Sequence, residues 1–241
     1  MDILQLTASV ETPDGVMPVF EARPKSEPRG AVLVIQEAFG VNDHIQDVAT
    51  RFAAEGWLAL APHLFHRDGA PVVEYGDVEK ALIYTRRLTA TGLEANLSAC
   101  LAHLAERGFE ADRVAIVGFC MGGTVAFFAA TRFPLGAAAT FYGGGVEESR
   151  WPGVRPLIEL AASLQTPWLG LYGDQDHGIP TRHVDRLEAA VGEASVPAEV
   201  VRYPEAGHGF HCDARPEAYD PASARDAWGR TLRWFERHIA S

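Results

Sequence analysis

Few cysteines, few basic residues and no uninterrupted apolar stretch of bilayer length characterise this chain of 241 residues. Cys100, Cys120 and Cys212 are too few and too scattered for a disulfide framework, so a reducing cytoplasm is the expected compartment. Lys and Arg number 21 against 32 Asp and Glu, a net charge of −11, and the longest basic run is Arg86-Arg87. That balance offers neither a phosphate-tracking surface nor a polybasic membrane patch, and nucleic acid is not an expected partner. The start, Met1-Asp2-Ile3-Leu4-Gln5, lacks the basic residues and apolar run of a signal peptide. Residues 114–131 are uncharged, but Gly118, Gly122, Gly123 and Thr124 interrupt them. A bilayer span needs about 20 mostly apolar residues in one helix. The stretch reads instead as a strand, a sharp turn and a buried helix, and no membrane partner is expected.

What the chain does have is a 47% hydrophobic share against 22% charged, enough for a sizeable core. Short apolar runs alternate with helical periods, the pattern of an α/β fold with a mostly parallel central sheet and helices on both faces. Strands are expected at 31–35, 57–61, 114–117, 137–142, 168–172 and 198–203. Asn42 and Asp43 can cap a helix whose apolar positions Ile45, Val48, Ala49 and Phe52 follow the i, i+3, i+4, i+7 rule. Further helices are expected near 77–88, 93–107 and 182–191. A last one starts at Asp220-Pro221, where proline costs nothing because its missing N–H would be unpaired anyway. Pro62 to Gly76 reads as a long loop. No repeat or change of composition divides residues 1–241, which are expected to form a single domain.

The strongest chemical signal is Gly118-Phe119-Cys120-Met121-Gly122-Gly123, between a buried strand and a buried helix. In the nucleophile-elbow pattern G-x-S-x-G the central residue sits on a strained turn, and its flanking glycines avoid collisions with neighbouring backbone. Here the central residue is a cysteine at a helix N-terminus, whose dipole favours a thiolate. In this fold an acid and then a histidine follow the nucleophile in the chain. Gly173-Asp174-Gln175-Asp176 follows an apolar strand and offers two carboxylates. Asp176 is preferred because the first residues of such a turn are occupied in leading the chain away; Asp174 suits a solvated or capping role. His208, between Gly207 and Gly209, is the candidate base. The oxyanion hole is expected from the backbone N–H groups of Met121 and Ala38, the latter in the loop Gln36-Glu37-Ala38-Phe39-Gly40. His211 and Cys212 have a metal-like spacing but no second ligand cluster, so neither metal nor cofactor is expected.

Together these four segments resemble the dienelactone hydrolases (carboxymethylenebutenolidases), over essentially the whole chain. The resemblance implies an α/β-hydrolase fold, metal-free opening of enol-lactone rings, and a Cys120–His208–Asp176 triad working through a thioester acyl-enzyme. It also implies that Glu37 is the glutamate that helps the thiol ionise. The family's substrate-gripping arginine four residues after the histidine is replaced here by Cys212, and near the second such position the chain offers Arg67 before it and then only Arg86 and Arg87. With Phe39, Tyr84, Tyr142, Phe210 and His211 as candidate pocket residues, a preference for neutral, moderately apolar esters or lactones is expected. The alternatives are a general short-chain carboxylesterase and a non-catalytic ligand-binding protein of the same fold. The sequence carries no reading of oligomeric state.

Overall fold

In the computed structural model, which describes residues 2–239, eight strands form one sheet in the order β1-β2-β4-β3-β5-β6-β7-β8. The strands are β1 (Ile3–Thr12), β2 (Gly15–Pro24), β3 (Ala31–Ile35), β4 (Leu58–Pro62), β5 (Val114–Phe119), β6 (Ala137–Phe141), β7 (Trp168–Gly173) and β8 (Ala198–Tyr203). All the pairings from β4 through to β8 are parallel, whereas β1 and β2 run antiparallel as a hairpin along one edge. Every residue of β3, β4, β5, β6 and β7 is buried, which is why they read as unbroken apolar runs. The hairpin has no such signature. Most of β1 is solvated, and its sequence mixes Thr, Ser, Gln and Glu with the apolar residues, so neither of its strands is among those expected.

The helices are α1 (Asp43–Ala54), α2 (Val78–Thr85), α3 (Ala90–Ala105), α4 (Met121–Ala130), the single turn α5 (Leu157–Leu160), α6 (Thr181–Val191) and α7 (Pro221–His238). Two of their N-caps are residues read from sequence. Asn42 Oδ1 accepts from the Ile45 N–H at 3.1 Å, and Asp220 Oδ1 from the Ser223 N–H at 2.7 Å. Right-handed crossovers put helices on opposite faces when the chain moves in opposite directions across the sheet. The step from β3 to β4 therefore sends α1 to one face, where Phe52 packs on Trp228 of α7 with ring centroids 4.4 Å apart. The steps from β4 to β5 and from β5 to β6 go the other way and carry α3 and α4 to the opposite face. All ten residues of α4 are buried. The direction of winding reverses at β3, beside β5, and ligands of open α/β sheets bind at such a switch point, beyond the carboxyl ends of the strands.

Candidate active site

β5 ends at Phe119 and α4 begins at Met121, so Cys120 alone turns the chain, at φ 54° and ψ −115°. A positive φ is strained for a residue with a Cβ and persists only where the surroundings enforce it. Glycines make that enforcement possible. A Cβ on Gly118 would collide with the Gly122 carbonyl, and one on Gly122 with the carbonyls of Ile35 and Gln36. One on Gly123 would lie 2.8 Å from the Phe141 carbonyl. α4 therefore starts directly against the ends of β3, β5 and β6, and the Cys120 N–H donates to the Phe141 carbonyl at 3.0 Å. The half-buried thiol stands at the carboxyl edge of the sheet.

The turn after β7 separates the two aspartates. Asp174 is held by Arg202, whose Nε donates to it at 2.7 Å from β8. Asp176 is buried, its Oδ1 accepting from the N–H groups of Gly178 (2.8 Å) and Ile179 (3.2 Å). Its Oδ2 lies 2.7 Å from His208 Nδ1, and since a carboxylate only accepts, that nitrogen carries the proton. The Cys120 sulfur is close enough to act on the imidazole charge. Burial works against a charge on His208, but the adjacent Cys120 sulfur and the Asp176 carboxylate outweigh it and raise the pKa to about 10. The histidine ring rests against Tyr142, centroids 5.1 Å apart.

Glu37 follows β3 and is buried, accepting a hydrogen bond from the Tyr75 hydroxyl at 3.1 Å. Its loop is fixed on both sides. Gln36 Oε1 accepts from the Leu64 N–H at 3.0 Å, and the Val73 N–H donates to the Phe39 carbonyl at 2.9 Å. Gly40, at φ +88°, sits where a Cβ would strike the Pro71 carbonyl. Ala38 is two residues past Gln36, whose carbonyl closes on Gly122, and Met121 contributes the first amide of α4, one of the four that no helical carbonyl can satisfy.

The pocket candidates divide. Phe39 packs edge-on to Tyr75 (4.8 Å) and Tyr142 faces His208, both within the cluster. Tyr84 stacks near Phe65 and lines a separate cavity of about 230 Å³ with Arg67 and Arg87. Phe210 and His211 are core residues: Phe210 packs between Tyr142 and Tyr203, and His211 beneath Phe119, Phe141 and Trp228. The loop turns inward directly after His208 and buries Phe210 and His211, a change of direction that no local pattern announces. Two residues of the cluster are absent from the sequence reading altogether. Tyr75 lies in the long 63–77 loop with no pattern to mark it. Arg215, three residues past Cys212, places its guanidinium 5.3 Å over the Tyr75 ring and beside Gly209. Burial disfavours its charge, yet Glu37 across the cluster keeps its pKa above the ordinary value. A cation in the same loop as the histidine is the one signal that could have found it. Among the described residues no group of three or more His, Cys, Asp or Glu is disposed to hold a metal, and no helix is long and apolar enough to cross a membrane.

An elbow at the switch point of a mostly parallel sheet, with a histidine and a buried carboxylate delivered from the last two strands, defines the α/β-hydrolase class. The chain belongs to the dienelactone hydrolase family, whose pattern matches residues 17–239. It is 38% identical over 229 residues to a protein of Escherichia coli strain K12 named "Putative carboxymethylenebutenolidase", covering 92% of this chain and 83% of that one. A protein of the same name from Methylorubrum extorquens is 37% identical, over 93% of this chain and 78% of its own. The crystal structure of a "Putative Dienelactone Hydrolase" from Klebsiella pneumoniae superposes with a TM-score of 0.88 at 37% identity, covering 98% of this chain and 99% of that one. The protein is therefore a hydrolase of carboxylic ester or lactone bonds, and the binding-only alternative falls away.

Proposed function

We propose that the chain hydrolyses activated esters or enol-lactones through a covalent thioester on Cys120. The observation that carries this reading is a single imidazole, His208, held by a buried carboxylate at 2.7 Å, with the sulfur of a strained turn near enough to act on its charge. With Nδ1 donating to Asp176, Nε2 faces the thiol and takes its proton, so attack starts from a thiolate beside an imidazolium. The sulfur adds to the carbonyl carbon, and the oxyanion is held by the N–H groups of Met121 and Ala38. Collapse expels the enolate or alkoxide, to which His208 returns the proton. Water then adds to the thioester with His208 as base, releasing the acid and restoring the thiol. Glu37 assists thiol ionisation by accepting a hydrogen bond from the resting thiol, whose proton passes to His208.

The nucleophile dictates the leaving group. A tetrahedral adduct on sulfur expels its better leaving group, and an amide nitrogen must be protonated first, so enol and aryl esters are favoured over amides. Arg215 revises the substrate charge expected from position 212. A guanidinium at the mouth of the cluster supports substrates bearing a carboxylate, because an anion buried without a partner costs several kcal/mol. The decisive experiment is intact-protein mass spectrometry during turnover of p-nitrophenyl acetate. An acetyl adduct on Cys120 is expected, with Cys120→Ala unlabelled and slower by about 10⁴-fold or more. Turnover by Cys120→Ala at more than a few per cent of the parent rate would remove cysteine from the role of nucleophile.

A further inference from the structure

Glu37 is the second carboxylate of the cluster, and the group that holds it comes from the 63–77 loop. Tyr75 stands edge-on to Phe39 at 4.8 Å and under the Arg215 guanidinium at 5.3 Å, so its ring has two independent supports. Its hydroxyl lies 3.1 Å from Glu37 Oε2 and 3.3 Å from Cys212 Sγ. Chemistry fixes the direction of this chain. A carboxylate can only accept, so the single phenolic proton points to Glu37, and a lone pair of the same oxygen receives the S–H of Cys212. Burial, then the Glu37 charge, then Cys212 push the tyrosine's pKa far above its usual value, so the proton stays in place at any working pH.

Glu37 is 1% exposed, and the groups facing it are Tyr75, Tyr142, Cys212 and Arg215. Arg215 attracts it without a direct hydrogen bond, and the Tyr142 hydroxyl is buried without a partner. Tyr75 is thus the donor that gives this carboxylate a fixed direction. Resting on the thiol-hydrolase reading above, the geometry points to Tyr75 as the positioning residue of Glu37, with Cys212 bracing the hydroxyl from behind. Cys212 then has a task of its own at the position where the family resemblance implied an arginine.

The test uses p-nitrophenyl acetate with the full chain. Tyr75→Phe keeps the ring, its edge contact and its place under Arg215, and deletes only the hydroxyl. The expected result is a fall in kcat of roughly tenfold, as for one hydrogen bond to a charged group, with KM within about twofold. Added to Glu37→Ala, the same change should have no further effect, because nothing is left to position. Cys212→Ala should lose about threefold, and Cys212→Ser, which keeps a donor, should recover most of it. A Tyr75→Phe enzyme as fast as the parent, or one losing the same factor in the Glu37→Ala background, overturns the positioning role. Cys120→Ala in the same assay separates the two readings. If it is inactive while Tyr75→Phe is unimpaired, only the role of Tyr75 fails; if it is active, the nucleophile fails and the role of Tyr75 with it.

Discussion

Within the proposed triad, two neighbours act on one imidazole with unequal effect. His208 owes its raised pKa of about 10 first to the neighbouring sulfur, acting against burial, and then to Asp176. A histidine with a folded-state pKa above its unfolded value of about 6.5 stabilises the fold fully below that value and loses the contribution as pH rises through the folded pKa. Removing the sulfur removes the larger favourable partner. The stability difference between the parent and Cys120→Ala should therefore shrink as pH rises from 7 to 10, and the His208 ring resonances should titrate lower in the variant. An unshifted NMR midpoint would refute the coupling. The aspartates make a second residue-scale case. Asp176→Asn should cost about 10³–10⁴ in kcat, since the amide no longer fixes the tautomer. Asp174→Asn, which only releases Arg202, should cost less than tenfold; steady-state kinetics of the pair decides. Cys120, Asp176 and His208 are legible in the sequence because each sits in a short glycine-bounded segment after an apolar strand. Tyr75 and Arg215 are not, because their contacts form only when two distant loops meet over the sheet.

At the scale of elements, the turn between β5 and α4 is where local sequence and tertiary packing agree most closely. Gly122 is there because the carbonyls of Ile35 and Gln36 occupy the space a side chain would need. Gly122→Ala should destabilise the protein by about 1–3 kcal/mol through overpacking. It should also move Ala38 relative to Met121, so activity is expected to fall further than the folded fraction does, as thermal melts and kinetics on one preparation can establish. The segment after His208 gives a contrasting case. The sequence points His211 toward the pocket, but burial first, and then repulsion from His44 and Arg51, depress its pKa to about 3. A histidine that stays neutral when folded opposes folding as pH falls from about 6.5 toward 3, by up to about 1.4 kcal/mol per pH unit. His211→Phe, placed among Phe119, Phe141 and Trp228, should therefore lose less stability than the parent between pH 6.5 and 4 in urea melts. The parallel strands can be read because they are buried on both faces. The β1–β2 hairpin cannot, because an edge hairpin with a solvated face need not be apolar.

Across the whole molecule, a net charge of −11 surrounds a cluster that holds one guanidinium, Arg215, itself 3.3 Å from Glu217. The two act over different ranges. Arg215 acts at contact distance, whereas the overall charge acts through solvent and is screened over roughly 8–10 Å at ordinary salt. For a carboxylate-bearing aryl ester, kcat/KM should rise with added salt as long-range repulsion is screened, while a matched neutral ester stays nearly flat. Arg215→Gln should lower the anionic value by about tenfold and leave the neutral one within about twofold. Equal losses on both esters would assign Arg215 to structure instead of selectivity.

The order of the proposed triad along the chain also bears on how the protein is made. The thiol leaves the ribosome with β5, its acid comes after β7, and its base arrives only after β8, the last strand and one edge of the sheet. Synthesis therefore produces, for a time, a chain that holds the proposed nucleophile but neither of its proposed partners. On the proposed mechanism, a newly made chain is a plain thiol protein until the edge strand docks and brings His208 to the elbow, and hydrolysis would begin only with the closing stage of folding.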